Sequence, residues 1–177
     1  MASLVAGPSF GHPAAHRRTC QLLAVDHSLA AVEATRNTLQ AHQVTEVDVI
    51  AASLLGPLVD KLRGSVDIMV FNPPYVPTPD EEVERGGIAS AWAGGYRGRR
   101  IIDRVLQLLP ELLSPRGELF MVTVAENEPQ GIIEEMLGFG FLGRIAAARQ
   151  ADEEALQILH LWRQPAGLDT GAPAPGQ

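Results

Sequence analysis

The residues best suited to chemistry are Asn72-Pro73-Pro74-Tyr75, which follow the apolar run Val66-Asp67-Ile68-Met69-Val70-Phe71. A planar amide or exocyclic amine is a poor nucleophile because its nitrogen lone pair is delocalised. An Asn side-chain oxygen and a proline carbonyl can both accept its N–H hydrogens, which localises charge on the nitrogen as it attacks. An aromatic ring at position 75 can stack on the planar group and hold it in line with an electrophile, which is positioning plus electrostatics. The competing reading is a Pro-rich exit loop, since Asn-Pro and Pro-Pro are ordinary turn formers. A second candidate is Asp26, an acid ending the short apolar run Gln21 to Val25. An acid in that place is what nucleotide sites of α/β sheets use, although it could equally cap the helix that follows.

Both candidates need strands to hold them. Val66 to Phe71 is β-branched and apolar, the pattern of a strand buried on both faces of a parallel sheet. The two prolines must end it, because neither can donate to a ladder and each biases its predecessor away from helix. The loop therefore leaves the carboxyl edge of the sheet, where ligands of open α/β sheets bind. Gln21 to Val25 is a strand, Ser28 caps a helix carrying Leu29, Val32 and Leu39, Val47 to Ala51 is a strand, and a weak helical turn spans Leu54 to Leu62. That alternation predicts a doubly wound sheet. Thr78 to Gly98 is a long loop with Trp92 and paired glycines, expected on the substrate side. Arg99 to Leu113 is a helix that Pro110 should kink or interrupt. Ser114-Pro115-Arg116-Gly117 turns into a strand over Glu118 to Val124. Asn127 can cap a helix with Pro129 in its first turn and Ile132, Ile133, Met136 and Leu137 facing inward. Phe141 to Arg149 and Ala155 to Trp162 form a pair that so short a link allows only to be antiparallel.

Composition narrows the function. The 177 residues suit one domain, with 46% hydrophobic and 20% charged residues and a net charge of −7. No global basic field exists for nucleic acid. Thirteen of the fourteen basic residues are arginines, and Arg97, Arg99, Arg100 and Arg104 cluster where they could meet phosphates. Cys20 is the single cysteine, so no intrachain disulfide forms and a reducing compartment, the cytoplasm with the nucleus beside it, is expected. The histidines show no metal-ligand spacing, and no apolar run reaches membrane-spanning length. His160, inside the last strand, reads as a satisfied core or edge histidine.

From about Leu22 to Arg163 the chain resembles the HemK family of protein-glutamine N5-methyltransferases, eukaryotic type. The stretches that carry the likeness are Phe71-Asn72-Pro73-Pro74-Tyr75-Val76, Gly87-Ile88 with Ala91-Trp92-Ala93-Gly94-Gly95, Gly98-Arg99 with Asp103-Arg104, Leu112-Leu113-Ser114-Pro115-Arg116-Gly117, Glu126-Asn127, and Arg149-Gln150-Ala151 with Glu154-Ala155-Leu156. The resemblance implies an α/β, Rossmann-like sheet for S-adenosylmethionine (SAM), with an antiparallel final strand. It implies a catalytic group of Asn72, Pro73, Pro74 and Tyr75, in which Asn72 and the Pro73 carbonyl hold a glutamine amide and Tyr75 packs on it. It implies a SAM site of Asp26, Ser53, Leu54 and Asn72, in which Asp26 takes the ribose hydroxyls. Ser53 stands where the family usually has an acid. The implied substrate is the glutamine of the Gly-Gly-Gln tip of the eukaryotic class I release factor. The implied partner is a small zinc-binding activator subunit on the sheet edge near Val47 to Ala51.

The family's first strand ends in an acid and a Gly-x-Gly loop, and no such stretch occurs here. Ala2-Ser3-Leu4-Val5 and Gly7-Pro8 resemble the segment just after that loop. The expectation is therefore an N-terminally truncated methyltransferase sheet that lacks its first strand and Gly-rich loop. Residues 1–20 form an irregular start with an insertion over Phe10 to Thr19, residues 21–163 the partial domain, and residues 164–177 a disordered tail. Two apolar strand edges would then lie unpaired in the core, and SAM would bind poorly unless another segment fills the place. Two alternatives stand beside this reading: a nucleic-acid adenine or guanine N-methyltransferase, and an inactive binding module that competes for the activator subunit.

Overall fold

The computed structural model describes residues 3–8, 20–85, 87–151 and 154–165. Seven strands form one sheet: β1 (Ser3–Pro8), β2 (Cys20–Asp26), β3 (Val47–Ala51), β4 (Val66–Phe71), β5 (Leu113–Thr123), β6 (Phe141–Ala151) and β7 (Glu154–Arg163). Their spatial order is β3-β2-β1-β4-β5-β7-β6. β2 pairs parallel with β3 and β4 with β5, while β7 runs antiparallel to both β5 and β6. The Rossmann-like α/β sheet and its antiparallel final strand are as expected from sequence.

The expected vacancy beside β4 is not there. Ser3–Pro8 lies between β2 and β4 and pairs antiparallel with both, Val5 facing Leu23 on one side and Met69 on the other. Two strands, β1 and β7, thus run against the other five. Direction follows from connection length. Only residues 9–19 join β1 to β2, and a parallel crossover needs about a dozen residues or more, usually including a helix. The expectation of an irregular start fails for residues 3–8. The expected insertion over Phe10 to Thr19 and the tail from residue 166 onward lie outside the described residues.

One sheet face is dry. Met69 and Phe71 of β4, Leu119 and Met121 of β5, and Leu159 and Leu161 of β7 are buried against helix α4 (Arg100–Leu112) and helix α5 (Pro129–Leu137). The alternate residues Ile68 and Val70 are 45% and 43% exposed, so the opposite face is open over β4. Helix α1 (Leu29–Ala41) starts at the predicted Ser28 cap but buries only Val32, and Leu29 points to solvent. Leu137 is likewise half-exposed instead of inward. A short 3₁₀ turn (Gly56–Leu58) leads into α2 (Val59–Leu62), and α3 (Asp80–Arg85) lies in the long loop after β4.

Pro110 does not interrupt α4, which continues to Leu112. It sits in the last turn, where it removes one ladder bond and few residues remain to be displaced. The Arg163 guanidinium closes that end: Nη2 donates to the carbonyls of Pro110 (2.5 Å) and Leu113 (2.9 Å), Nε to those of Leu113 (3.1 Å) and Ser114 (3.0 Å). Residues 114–117, expected as a turn, form an irregular bulge within β5. Val66 pairs with Leu113, and Ile68 already pairs with Glu118.

Candidate active site

Asp26 ends β2 with its side chain 2% exposed, and its Oδ1 accepts the Ser28 N–H at 2.8 Å. His27 Nδ1 lies 3.7 Å from the same oxygen. Asp26 therefore ties the turn before α1, while Ser28, not Asp26, caps that helix through the Ala31 N–H. The carboxylate also forms part of the wall of a cavity of about 410 Å³ at the carboxyl edge of the sheet. That is a common size for a small-molecule site, roughly 300–1,000 Å³.

Around this cavity the structure gathers Asp26, Ser53, Leu54 and Pro74, with Leu55, Met69 and Phe71 supplying apolar walls. Arg100, Arg104 and Glu84 from the segment after β4 complete it. Asn72, Pro73 and Tyr75 do not line it. Asn72 is exposed, Pro73 and Pro74 are buried, and Tyr75 is half-buried. The predicted cofactor residues Asp26, Ser53 and Leu54 are brought together, and Asn72 stands apart from them. This donor set fits a nucleoside: a carboxylate can accept from a vicinal diol, and apolar side chains can flank a flat base. Among the described residues no glycine-rich turn faces this edge between β2 and β4, because β1 runs toward the opposite edge.

The Asn72–Tyr75 loop is fixed by the segment expected on the substrate side. Val76 N–H donates to the Trp92 carbonyl (3.0 Å), Gly94 N–H to the Val76 carbonyl (2.8 Å), and Thr78 N–H to the Gly95 carbonyl (3.1 Å). Glycine is required in this contact. A Cβ on Gly94 would fall on the Pro74 carbonyl oxygen, and one on Gly98, whose φ is +68°, on the Tyr75 carbonyl oxygen. Trp92 is 43% exposed and Tyr96 72%, so both rings face outward from the loop. The Tyr75 hydroxyl donates to Glu154 Oε2 at 3.1 Å, linking the loop to the start of β7. Burial, then the Glu154 hydrogen bond and charge, raise the Tyr75 phenol above its ordinary value near 10.

Asn127 has a role that differs from the predicted helix cap. Helix α5 begins after Glu128, and the Asn127 side chain makes no bond to it. Instead Oδ1 accepts the Val124 N–H, and Nδ2 donates to the carbonyls of Tyr75 and Arg97, each at 2.8 Å. Such a contact across 52 residues has no local signal. The arginine cluster is also resolved. Arg97 pairs with Glu128 (2.6 Å), Arg99 with Asp103 (2.6 Å) and Glu135 (2.8 Å), and Arg100 with Glu84 (3.2 Å). Three of the four candidate phosphate contacts are thus engaged by acids. Edge strand β3 is the sheet edge on which the activator subunit was expected. His160 is buried, with Nε2 2.9 Å from Glu118 Oε2 and its ring stacked on Phe120. Among the described residues no three His, Cys, Asp or Glu side chains could hold a metal ion, and no helix is long and apolar enough to cross a membrane.

No family model matches the chain. It is 48% identical over 129 residues to the mouse methyltransferase HEMK2, a match spanning 72% of this chain and 60% of that protein. It is 43% identical over 105 residues to the eRF1 methyltransferase catalytic subunit mtq2 of Schizosaccharomyces pombe, covering 58% of this chain and 46% of that one. Among solved structures, the E. cuniculi Mtq2–Trm112 complex responsible for methylation of the eRF1 translation termination factor superposes with a TM-score of 0.53 at 24% identity, over 80% of this chain and 84% of that chain. At these identities the chain belongs to the HemK methyltransferase family, in its eukaryotic HEMK2 type, and it spans about 60% of the length of the HEMK2 relatives it matches.

Proposed function

We propose that this chain is a SAM-dependent methyltransferase that methylates the side-chain amide of a glutamine in a class I release factor. One observation carries the reading. Asp26 forms one side of a cavity whose other side includes Phe71 and Pro74, the two residues that bracket Asn72 and Pro73. SAM supplies a methyl group bonded to a sulfonium. Asp26 would accept the ribose hydroxyls, Leu54 and Phe71 would flank the adenine, and Ser53 would accept or donate at its edge. Asn72 Oδ1 and the Pro73 carbonyl would accept the amide N–H hydrogens and raise density on the nitrogen. The N–C bond would form as the sulfonium C–S bond breaks, the neutral thioether would leave, and one amide proton would pass to water. No covalent enzyme intermediate is needed. Among the described residues no glycine-rich turn faces the carboxyl edge between β2 and β4, which favours weak SAM binding by this chain.

The named function of mtq2 and the chain's 43% identity to it support the release-factor substrate. The Trm112 subunit in the E. cuniculi complex supports a small activator, here a zinc-binding subunit docking along β3. That substrate and the single Cys20 support a cytoplasmic location. Charge weighs against nucleic acid, since Arg97, Arg99 and Arg100 are already paired with acids.

The test is transfer of a radiolabelled methyl from SAM to release factor or to DNA, by the chain together with its activator. Label should enter the release factor and fall at least 100-fold in Asn72→Ala, the scale for losing one polar contact to a reacting group. Label entering only DNA, or unchanged transfer in Asn72→Ala, would overturn the proposal. An inactive binding module would bind the activator and transfer nothing in either variant.

A further inference from the structure

We infer that Asn127 is a positioning residue for methyl transfer, holding the Asn72–Tyr75 loop in its amide-binding shape through the Tyr75 carbonyl. The inference rests on the functional reading above. Asn127 is fully buried and its amide uses three partners: Oδ1 takes the Val124 N–H, while Nδ2 is divided between the Tyr75 and Arg97 carbonyls. Its backbone is held as well. Its N–H donates to the Val124 carbonyl at 3.1 Å, and Arg99 Nη1 donates to the Asn127 carbonyl at 3.3 Å. Arg99 in turn is braced by Asp103 and Glu135. The anchor is therefore stiff before it touches the loop.

The loop has little slack of its own. Phe71 is fixed at one end by pairing with Met121 in β5. Two consecutive prolines lock φ near −65° at positions 73 and 74. Tyr75 is then fixed at the other end by Asn127. With both ends held and two of the intervening torsions locked, the position of the Tyr75 carbonyl sets how the Asn72 amide and the Pro73 carbonyl face the substrate. The same Nδ2 group ties in Arg97, so the substrate-side segment and the amide-binding loop share one pin. No other described side chain bonds to the Tyr75 backbone. A displacement of about 1 Å at reacting groups can cost on the order of 100-fold in rate even when the changed residue is remote.

Asn127→Asp keeps the acceptor for Val124 and removes the amide that donates to two carbonyls at once. In this variant two readings are expected together. Amide hydrogen exchange at Val76, Thr78 and Gly94 should accelerate at least tenfold while amides within α5 and β7 keep their rates. Turnover on release factor at saturating substrates should fall at least tenfold with SAM affinity within twofold of wild type. A parallel loss of SAM affinity and turnover would mark a merely structural role and overturn the inference. So would unchanged exchange, or loosened exchange with turnover intact. Should Asn127→Asp not fold, Asn127→Ser is read in the same way. Absence of transfer by the unmodified chain with its activator would count against the functional reading alone, and the exchange arm then decides whether Asn127 pins the loop.

Discussion

Two glycines with similar backbone torsions make a controlled experiment on the contact between residues 94–98 and the Asn72–Tyr75 loop. Gly98 has φ +68° and Gly64 φ +62°. A Cβ on Gly64 would meet nothing within 4 Å, whereas one on Gly98 would strike the Tyr75 carbonyl and come within 2.5 Å of Asn127 Nδ2. Left-handed torsion costs an L-residue about 1–2 kcal/mol. Lower entropy of the unfolded chain returns about 0.4–1 kcal/mol of that on replacing Gly by Ala. Gly64→Ala should therefore destabilise by about 1 kcal/mol. Gly98→Ala carries the same conformational term and also pushes Tyr75 off Asn127. A buried polar group left without its partner costs about 1–3 kcal/mol, and both Nδ2 and the Tyr75 carbonyl are affected. The expected total is about 3–7 kcal/mol, within the roughly 5–15 kcal/mol by which a domain is ordinarily stable. Urea unfolding of the two variants, compared at an unchanged denaturant slope, measures the difference. Equal destabilisation of the two, within about 0.5 kcal/mol, would refute the close approach of residues 94–98 to Tyr75.

Two further outcomes follow from single side chains. Arg163→Met should lower stability by about 3 kcal/mol, since it strips a charged donor from the Pro110, Leu113 and Ser114 carbonyls. In a domain of this size that is roughly 6–12 °C in melting temperature. Arg163→Lys should recover less than half, because a point charge cannot span three carbonyls; calorimetry showing full recovery would contradict the fork geometry. Tyr75 carries a pH dependence. Its phenol is raised by burial and by Glu154, so its contribution is fully present below the ordinary value near 10 and is lost as pH rises through the higher folded value. Urea midpoints measured on either side of pH 10 should fall more steeply for the unmodified chain than for Tyr75→Phe, and parallel curves would remove Tyr75 as the cause.

Much of this molecule could be read from the chain because its signals are local. The bounds of Val47–Ala51 and Val66–Phe71 match β3 and β4 because short β-branched runs end at polar or proline breaks. Asp26 was found for the same reason, as an acid after an apolar run. What escaped depends on distant partners. Ser3–Pro8 holds a glycine and a proline and lacks alternation, and only the two neighbouring strands make it a strand. Asn127 looks like a cap because Pro129 follows it, yet its amide is claimed by carbonyls 52 and 30 residues away. Arg97, Arg99 and Arg100 read as a free cationic cluster because their acids come from Glu84, Glu128 and Glu135 as well as Asp103.

The six residues of β1 also act as a spacer. Without that strand the sheet has no backbone hydrogen bonds between the pair β3-β2 and the group β4-β5-β7-β6. The pair carries the Asp26 carboxylate, and the group carries the Asn72–Tyr75 loop. Each strand adds about 4.8 Å across a sheet, so β1 holds the strands bearing the two halves of the site about 10 Å apart. The width of the cavity mouth between Asp26 and the Asn72–Tyr75 loop is thus set by a segment that supplies neither of them. A change in how tightly that spacer is held would be felt as a change in cleft width before any residue of the site itself moved.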